Sequence, residues 1–550
     1  MSSHKQSLLS KIRGGLIVSC QAEANEPLNS PEILVALAKS AISSGAVAIR
    51  AEHPDNLMAM KQSLSVPVIG LLKRKYSDSE IYITPTIADA IEVLNTGVDI
   101  VAIDATLRRR PNAENIAHIV QLLKQRNALI MADISSVAEG RRAAQLGFDL
   151  IGTTLSGYTG EINRGASEHL PDFELLSQLV GELGHQVTVI AEGRIWTPEQ
   201  AVEALRLGAF AVVVGSAITR PHHISRRFQE KITAFQQLRK STAIGVDLGG
   251  VKTALASVTA DGLCDHLAVF PTQWKKGTRE VAESLIAAIK SVLKKSVDKP
   301  QAIGIAASGR VDPKKNIVTG GVALANDYLG YPLSDHISDA IGLPVYLEND
   351  ANAAAFAEFE QLHYPRPDRF ALISIGTGIG CGIILNGKLL RGAGNAAELG
   401  HICVEKNGLK CGCGRKGCLE MYVSRKKLQE EVFKIVTSDY KQRLHPLSKE
   451  STDTLIELIR SEDSTILSIF NRQLDYLACG LETLHHIVEP EQVVIGGEIS
   501  RLGAPLLEAI NQKLYFPVKI STSQLGNNAG LIGAALLALK RHFRIDNYYT

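Results

Sequence analysis

The sequence has no uninterrupted apolar run approaching the roughly 18 residues that a membrane-spanning helix needs, and its N-terminal segment MSSHKQSLLSKIRGG contains no apolar stretch of signal-peptide length. It also has little excess charge, because 59 Lys and Arg stand against 57 Asp and Glu among 550 residues. A net charge of +2 gives no electrostatic reason to expect nucleic acid or an anionic membrane surface as a partner. We therefore expect a cytoplasmic protein that binds neither.

Cysteine is scarce, with eight residues in the chain. Five are scattered, which fits a reducing compartment where thiols bind metal or pack in the core: Cys20, Cys264, Cys381, Cys403 and Cys479. The other three, Cys411, Cys413 and Cys418, fall within eight residues and follow His401. Three thiolates and one imidazole at this spacing suit a tetrahedral Zn²⁺ ion, and four protein ligands leave no position for an activated water. We predict a structural zinc site; a disulfide or a group of buried thiols is the alternative.

Apolar, β-rich runs recur through the first 240 residues. Eight such runs lie at 16–20, 46–51, 66–72, 99–105, 128–134, 149–155, 187–193 and 209–216. Helix-like segments separate them, and several of these end in a glycine that suits a left-handed helix terminus. Eight strands alternating with helices predict a (β/α)₈ barrel, whose active site lies at the carboxyl ends of its strands.

Polar residues occupy the predicted strand ends: Gln21, Arg50, Lys73, Asp104, Asp133, Thr154, Glu192 and Arg220. One such residue alone is more often a structural polar group, but eight in turn would meet at one mouth of the barrel. Lys73 is the best candidate base among them, because burial and cationic neighbours favour the neutral amine. Gly193 and Gly215 follow the last two predicted strands, where barrels often bind a phosphate through backbone N–H groups. We expect a small phosphorylated substrate.

The first domain resembles the N-acetylmannosamine-6-phosphate 2-epimerases over nearly its whole length, in GGLIVSCQA, AVAIRAE, PVIGLLKR, MADIS, GFDLIGTTLSGYT, VIAEGRI and VVVGSAITRP. The resemblance implies interconversion of N-acetylmannosamine 6-phosphate and N-acetylglucosamine 6-phosphate at C2. Lys73 would remove the C2 proton next to the open-chain aldehyde, and Glu192 would orient Lys73 or exchange protons with it, by one base or two. By the same resemblance the remaining substrate-binding residues are Gln21, Arg50 and Asp133 for the sugar, with Gly193, Arg194, Gly215, Ser216 and Arg220 at the phosphate end.

A second module begins after the short linker QQLRKST at 236–242, so we place the domains at 1–238 and 239–550. Its first strand ends in a turn with Asp247, Gly249 and Gly250, and the segment 374–388 repeats the strand, glycine turn and strand. A glycine turn lets backbone amides approach phosphate oxygens closely. One such turn is weak evidence, since most are plain hairpins, but both resemble the two phosphate-binding hairpins of the actin and sugar-kinase fold.

Four further motifs resemble the ROK family of sugar kinases over about residues 242–545: GIAASGRVDP, ENDANAAA, GNAAELGH and VEPEQVVIGGEIS. The resemblance implies a two-lobed, ribonuclease H-like kinase that uses ATP and Mg²⁺, with Asp350 as general base for the attacking sugar hydroxyl. A helix N-cap is the alternative role for Asp350. The resemblance also implies that Asn349, Glu398, His401 and Glu420 bind sugar hydroxyls and that Gly309 and Arg310 border the sugar. The residues implied near the nucleotide are Asp247, Gly249, Gly250, Lys252, Thr253, Gly376, Thr377, Gly378, Gly496 and Gly497.

The first glycine turn departs from the ROK pattern at Val251, where a threonine is usual. We expect Thr253 to supply the missing hydroxyl, because side chains two apart on an extended segment share a face. ATP use should therefore survive the departure.

The ROK motifs alone leave the sugar open. A fused epimerase favours a kinase that makes its substrate, and SGR at 308–310 resembles the N-acetylmannosamine kinases. We predict a bifunctional enzyme of sialic acid or aminosugar breakdown that acts on aminosugars and their 6-phosphates. A kinase for another aminosugar and a non-catalytic ROK sugar sensor are the alternatives. By analogy, both domains also predict a homo-oligomer.

Overall fold

A computed structural model describes residues 3–23, 25–159, 170–321, 324–445, 451–461 and 463–545. The chain divides into two compact units, residues 1–230 and 231–550. The division lies within a helix that continues to Arg239, so the first part of the predicted linker at 236–242 is helical. The division after residue 230 lies a few residues before the domain boundary expected at 238. Among the described residues, none of the helices combines the length and apolar character that crossing a bilayer requires.

Eight parallel strands close into a barrel in the first unit. They are β1 (Leu16–Cys20), β2 (Ala48–Glu52), β3 (Val68–Leu71), β4 (Ile100–Asp104), β5 (Leu129–Asp133), β6 (Leu150–Gly152), β7 (Thr188–Glu192) and β8 (Ala211–Val214). Strand β8 pairs with β1, which closes the barrel. All eight predicted strands are confirmed, although β6 is shorter than expected because the chain turns at 153–156, where the Ser156 N–H bonds the Thr153 carbonyl.

Helices alternate with these strands as predicted. They are α1 (Ser3–Ile12), α2 (Pro31–Ser43), α3 (Pro54–Ser63), α4 (Ile87–Asn95), α5 (Ile116–Gln125), α6 (Val137–Leu146), α7 (Phe173–Leu183), α8 (Pro198–Arg206), α9 (Ser216–Thr219) and α10 (Pro221–Arg239). Glycines 45, 97, 147 and 208 precede strands with positive φ, as the sequence predicted for helix termini. Leu8 and Ile12 of α1 join the core cluster formed by inward-facing strand residues such as Ile17, Ala48 and Ile190.

The second unit contains two five-stranded sheets and a short hairpin. The first sheet comprises β9 (Thr242–Leu248), β10 (Lys252–Thr259), β11 (Cys264–Pro271), β12 (Ala302–Ala307) and β15 (Val345–Asn349), and the hairpin β13 (Arg310–Asp312) and β14 (Ile317–Gly320). The second sheet comprises β16 (Arg369–Ile375), β17 (Ile379–Leu385), β18 (Lys388–Leu389), β19 (Gln492–Gly496) and β20 (Lys519–Thr522). In the first sheet, β9 and β10 form an antiparallel hairpin, and β12 pairs with β9 in parallel. In the second sheet, β16 and β17 form the corresponding hairpin, and β19 pairs with β16 in parallel. The repeated strand, glycine turn and strand design is therefore confirmed.

Ten described helices accompany these sheets. They are α11 (Thr278–Lys295), α12 (Leu333–Ile341), α13 (Asp350–Glu360), α14 (Glu420–Val423), α15 (Arg425–Ile435), α16 (Ser438–Arg443), α17 (Ser451–Arg460), α18 (Ser464–Val488), α19 (Ala504–Asn511) and α20 (Ala529–His542). Helix α20 packs very closely on its neighbours, because a Cβ added at Gly533 would lie 1.7 Å from the Ala353 carbonyl oxygen of α13. This contact helps to fix α13, which carries Asp350 at its start.

Candidate active sites

The pleat of the barrel strands directs four charged side chains into the barrel mouth. Arg50 and Glu52 on β2, Asp133 on β5 and Glu192 on β7 alternate with apolar residues that pack outward against the helices. Side chains two apart on a strand share a face, so these four all point inward at the carboxyl ends of their strands.

Arg50 holds two carboxylates together at the barrel mouth. Its Nη1 and Nη2 atoms donate to Asp133 at 3.1 and 2.6 Å, and Nη1 also donates to Glu192 Oε2 at 2.8 Å. The Thr154 hydroxyl donates to Asp133 at 2.6 Å and lies 3.2 Å from Glu192 Oε2. Arg50 has a side chain only 1% exposed, so this is a buried network in which each charge has a partner. The structure thus brings the predicted residues Arg50, Asp133 and Glu192 into direct contact.

The environment of Glu192 favours its protonated form. Burial is the main cause that raises the pKa of the Glu192 carboxyl, and nearby Asp133 raises it further, while Arg50 acts in the opposite direction. A carboxyl with a raised pKa suits proton transfer near neutral pH.

Lys73 and Glu192 were predicted as counterparts, but each has another direct partner. Lys73 follows β3, and its Nζ lies 3.0 Å from Glu52 Oε2. Lys73 therefore has an anionic neighbour where cationic ones were expected, and its side chain is 34% exposed where burial was expected. Glu52 is a functional candidate that the sequence reasoning missed, and its position two residues after Arg50 on the same strand was the signal for it.

The predicted phosphate end lies after β7 and β8. Gly193 has a φ of 107°, and a methyl group added at Gly215 would lie 3.3 Å from Ser19 Cβ. Ser216 begins α9, directly after Gly215. The Gln21 amide donates to the same Ser19, at its hydroxyl oxygen, over 3.0 Å. The structure thus places Gln21 and Gly215 around one residue of β1.

Two arginines flank this end of the barrel. The Arg194 guanidinium lies 5.7 Å from the ring centre of Tyr158. Arg220 Nη1 lies 3.6 Å from Glu23 Oε1 and 4.0 Å from Glu26 Oε1, both in the segment after β1. Asp104, a further strand-end residue, is paired within its own loop with Arg108, at 2.7 Å.

In the second unit, Asp350 is half-buried at the first position of α13. Its Oδ2 accepts a hydrogen bond from the Ser308 hydroxyl at 3.1 Å, and its Oδ1 accepts from the Ala351 N–H at 2.8 Å. Burial raises the pKa of Asp350, whereas these hydrogen bonds lower it. The alternative role as N-cap is wrong for Asp350, because Asn349 is the cap and its Oδ1 accepts from the Asn352 N–H at 3.0 Å.

A chain of contacts connects Asp350 with the first glycine turn. The Tyr328 hydroxyl donates to the Ser308 carbonyl at 2.8 Å, and the Tyr328 ring contacts Trp274 edge-on with centroids 4.8 Å apart. Trp274 in turn donates its indole N–H to the Gly249 carbonyl at 3.1 Å. These two aromatic residues were also missed by the sequence reasoning, since only the fold joins them to the site.

Asp247 lies near Asp350 at the end of β9. Burial and then the negative charge of Asp350 raise the pKa of Asp247 to about 7, and Lys252 opposes this shift. Two carboxylates close together at one site therefore compete for ionisation. A divalent cation would relieve that competition.

The predicted role of Thr253 needs correction. Thr253 is completely buried, and its hydroxyl oxygen lies 2.7 Å from the Thr272 hydroxyl oxygen. Val251 instead is 77% exposed in the turn, so the two side chains face different surroundings. The assumption of a shared extended face fails because Val251 belongs to the turn and β10 begins only at Lys252.

The second glycine turn, 376–378, meets Gly496 and Gly497 at the end of β19. The Gly376 N–H bonds the Gly378 carbonyl at 3.0 Å. A Cβ at Gly497 would lie 2.4 Å from the Ile375 carbonyl oxygen, and Gly497 has a φ of 78°. Only glycine fits this position, so the two predicted nucleotide segments are in contact.

The predicted sugar residues surround Asp350. Asn349 donates its amide to the Gly309 carbonyl at 3.0 Å, and Arg310 donates to Asn395 at 2.7 Å. Burial is the main cause that raises the pKa of Glu398, while His401 and Arg310 lower it. Asn349 and Glu398 line one cavity together with Glu348 and Arg391.

His401 and the three predicted cysteine ligands form one cluster. Their ligand atoms all lie within 4.8 Å of one another; Cys413 and Cys418 Sγ are 3.5 Å apart, and Cys411 Sγ is 3.7 Å from His401 Nδ1. Zinc–sulfur bonds of about 2.3 Å in a tetrahedron space the ligands by roughly 3.8 Å. The donor set and its spacing therefore fit a zinc ion. Glu420 Oε1 lies 3.1 Å from Cys411 Sγ, which links this cluster to the sugar residues.

Comparison with known proteins agrees with both units. Residues 34–234 match the NanE family, described as "Putative N-acetylmannosamine-6-phosphate epimerase", and residues 243–541 match the ROK family. The bifunctional enzyme NanE/NanK of Brucella melitensis is 35% identical over 541 residues, which cover 97% of this chain and 98% of that protein. This chain belongs to the bifunctional NanE/NanK family. It is an enzyme with an epimerase barrel and a ROK sugar-kinase unit, so the predicted fold class and bifunctional character are confirmed.

Two solved structures resemble the separate units of this NanE/NanK family member. The N-acetylmannosamine-6-phosphate 2-epimerase from Clostridium perfringens is 46% identical, covers 40% of this chain and 95% of its own, and has a TM-score of 0.39. A ROK family glucokinase from Streptomyces griseus, in complex with glucose and AMPPNP, is 33% identical, covers 54% of this chain and 99% of its own, and has a TM-score of 0.48.

Proposed function

We propose that the ROK unit transfers phosphate from MgATP to O6 of N-acetylmannosamine and that the barrel converts the product to N-acetylglucosamine 6-phosphate. The name of the Brucella relative, which extends over nearly the whole chain, supports this pairing of activities. The two steps form a consecutive route of sialic acid or aminosugar breakdown. A reducing compartment such as the cytoplasm suits the three cysteines proposed as thiolate ligands.

In the barrel, Lys73 removes the proton from C2 of the open-chain sugar. The electron pair of the C2–H bond moves toward the C1 aldehyde, and Arg50 lies near enough to Glu192 and Asp133 to keep both carboxylates oriented. Glu192, with its raised pKa, returns a proton or assists Lys73 in doing so. Gln21 helps to hold the sugar, and the phosphate binds at the end formed by Gly193, Arg194, Gly215, Ser216 and Arg220.

In the ROK unit, Asp350 accepts the proton of the sugar hydroxyl as its oxygen attacks the γ-phosphate. The two glycine turns and Gly496 and Gly497 bind the phosphates and nucleotide, with Asp247 and Lys252 at the first turn. Mg²⁺ bound with ATP would neutralise phosphate charge. Asn349, Glu398, His401 and Glu420 bind sugar hydroxyls, and Gly309 and Arg310 border the sugar.

Zinc in this proposal is structural. His401, Cys411, Cys413 and Cys418 would hold the ion through all four coordination positions. The ion supplies rigidity to the loop and no reacting group. It would fix the His401 ring and, through the adjacent Cys411, keep Glu420 in position. We also propose a homo-oligomer, by analogy with both families.

The barrel mouth carries the epimerase part of this proposal, because it holds the proposed base Lys73 near a network of Arg50, Asp133 and Glu192 that supplies acid and cationic groups. The test incubates purified protein with N-acetylmannosamine and MgATP, follows ADP release and identifies the sugar phosphate by NMR. N-acetylglucosamine 6-phosphate is the expected product. Accumulation of N-acetylmannosamine 6-phosphate contradicts the barrel assignment, and failure to release ADP contradicts the kinase assignment.

A further inference from the structure

Glu52 contacts the proposed base directly at the barrel mouth. Its side chain is 11% exposed, and its Oε2 lies 3.0 Å from Lys73 Nζ. Arg50, two residues earlier on β2, faces the same interior but is engaged with Asp133 and Glu192. The mouth therefore contains two separate ionic groups, one around Arg50 and one formed by Glu52 and Lys73.

The Glu52 carboxylate differs from the other two carboxylates of the mouth in its hydrogen bonds. Asp133 and Glu192 both take hydrogen bonds from Arg50 and from Thr154. Glu52 Oε2, in contrast, is buried and takes no hydrogen bond from a neutral donor among the described residues. Of the three carboxylates, Glu52 is the one in direct contact with Lys73 Nζ, at 3.0 Å, so it is the one placed to take a proton from that ammonium.

The surroundings of Glu52 leave Lys73 as its proton donor. The segment after β3 contributes Lys73, and β2 contributes Arg50, whose guanidinium stays protonated. On β1, Ser19 pairs in register with Arg50 and Cys20 with Ala51, and the neutral Gln21 follows Cys20 in the chain. His53 follows Glu52 in the chain, but its side chain is 60% exposed and lies 3.7 Å from Asp55.

A lysine must lose a proton before it can act as a base. We propose that Glu52 is a positioning residue that takes this proton from Lys73, an inference that rests on the proposed role of Lys73. The N–H bond of the ammonium breaks as an O–H bond forms on Glu52, leaving a neutral amine and a neutral carboxyl. The amine then takes the C2 proton, and the Glu52 proton returns when the amine is regenerated.

This arrangement makes a specific prediction for pH dependence. Conversion of the ion pair into a neutral pair is an internal transfer, so it requires no net loss of a proton to solvent. In Glu52→Gln the ammonium can lose its proton only to solvent. The kcat/KM of Glu52→Gln should therefore approach that of the unaltered enzyme as the pH rises, with the ratio between the two falling by up to about tenfold per pH unit.

The test compares Glu52→Gln and Glu52→Asp with the unaltered full chain. At pH 7, Glu52→Gln should lower the epimerisation kcat by about 10²–10⁴-fold, the usual contribution of proton transfer, and lower C2 deuterium exchange equally. KM should stay within about threefold, because the amide preserves the shape of the side chain. Glu52→Asp should recover part of the rate, without the new pH dependence.

Controls separate a loss of chemistry from a loss of folding. Binding of N-acetylglucosamine 6-phosphate, measured by calorimetry, should be retained in Glu52→Gln. Glu80→Gln is the matched variant, because Glu80 has a side chain 84% exposed and only a 4.0 Å contact with Arg108. Its epimerase rate should be unchanged within about twofold, as for most exposed positions.

The outcomes also distinguish this inference from the proposed function. An activity of Glu52→Gln within threefold of the unaltered enzyme, or a deficit constant at every pH, overturns the role of Glu52. The first result means that the carboxylate is dispensable, and the second that it acts only as a structural partner. If Lys73→Met retains hydrogen exchange at C2, the assignment of Lys73 as the base is wrong. If Lys73→Met loses this exchange and Glu52→Gln retains it, only the inference about Glu52 fails.

Discussion

Single carboxylates in this protein differ in which other charges the fold places beside them. Asp133 is paired with Arg50, whereas Asp247 has another carboxylate, Asp350, as its neighbour. Burial acts on both residues, but only Asp133 has a guanidinium within hydrogen-bonding distance. Asp247 is therefore the position at which removal of a charge should stabilise the fold.

We expect Asp247→Asn to stabilise the ROK unit at alkaline pH. The pKa of Asp247 is about 7 in the fold against an ordinary 3.8, so the fold retains a proton that the unfolded chain releases. This contribution to stability is complete below the lower value and is lost as pH rises through about 7. The variant should melt higher than the unaltered protein at pH 8, by about 2–4 °C for each kcal/mol gained.

Scanning calorimetry without nucleotide or Mg²⁺ measures this effect. A separate scan with AMPPNP and Mg²⁺ identifies the unfolding transition of the ROK unit, because ligand binding raises the melting temperature of that unit. The gain in melting temperature should be smaller at pH 5 than at pH 8, because pH 5 lies between the two pKa values. Asp298→Asn, at an exposed position, should show no gain at either pH. An equal gain for Asp247→Asn at both pH values contradicts the expected ionisation.

At the scale of elements, the zinc loop should order the sugar site of the ROK unit. Cys413→Ser removes one of the four proposed ligands. We expect zinc content to fall from about one ion per chain and kinase efficiency to fall about 10–100-fold, because Glu420 and His401 lose their support. Elemental analysis and ADP release measure the two effects, and epimerase activity should be unchanged.

Cys479→Ser is the matched control for the zinc loop. Cys479 is an exposed cysteine on α18, outside the cluster. This variant should retain both zinc and kinase activity. Full zinc content in Cys413→Ser, or unchanged kinase efficiency after zinc loss, contradicts the proposed structural role.

The packing of α20 against α13 should also be intolerant of added volume. A methyl group at Gly533 would lie 1.7 Å from the Ala353 carbonyl oxygen, so the backbone must move. We expect Gly533→Ala to lower the free energy of unfolding of the ROK unit by about 1–3 kcal/mol or more. Gly181→Ala on α7 is the same change in open space, and should stabilise its helix by about 1 kcal/mol. Urea titration measures both, and a stabilising Gly533→Ala contradicts the close packing.

At the scale of the whole molecule, the two activities reside in separate compact units. A shared chain does not require direct transfer of the intermediate, because a phosphosugar released by one unit can diffuse to another molecule. Each catalytic set lies within a single unit, so a variant in one unit should leave the other activity intact.

We expect two defective variants to complement each other in solution. Asp350→Asn should retain only the epimerase and Lys73→Met only the kinase, each losing about 10³-fold or more of the other activity. A one-to-one mixture supplied with N-acetylmannosamine and MgATP should form N-acetylglucosamine 6-phosphate, as detected by NMR. If the mixture accumulates N-acetylmannosamine 6-phosphate while each remaining activity is normal, the intermediate does not reach a second molecule.

Local sequence patterns were sufficient to predict the architecture of both units. Residue periodicity predicted eight barrel strands, and two glycine turns predicted the paired hairpins, all of which are observed. Such features are readable because strand alternation and glycine turns are local properties of a few consecutive residues. The same local spacing identified the four metal-ligand candidates that the fold brings together.

Only the tertiary structure decided which side chains are partners. Arg50 meets Asp133 and Glu192, residues 83 and 142 positions away in the chain. Lys73 meets Glu52 rather than Glu192, and Thr253 turns into the core. Periodicity determines which face a side chain occupies, but strand order, register and packing of distant segments determine what it touches there. The charges that govern each site were therefore set by contacts that no local pattern contains.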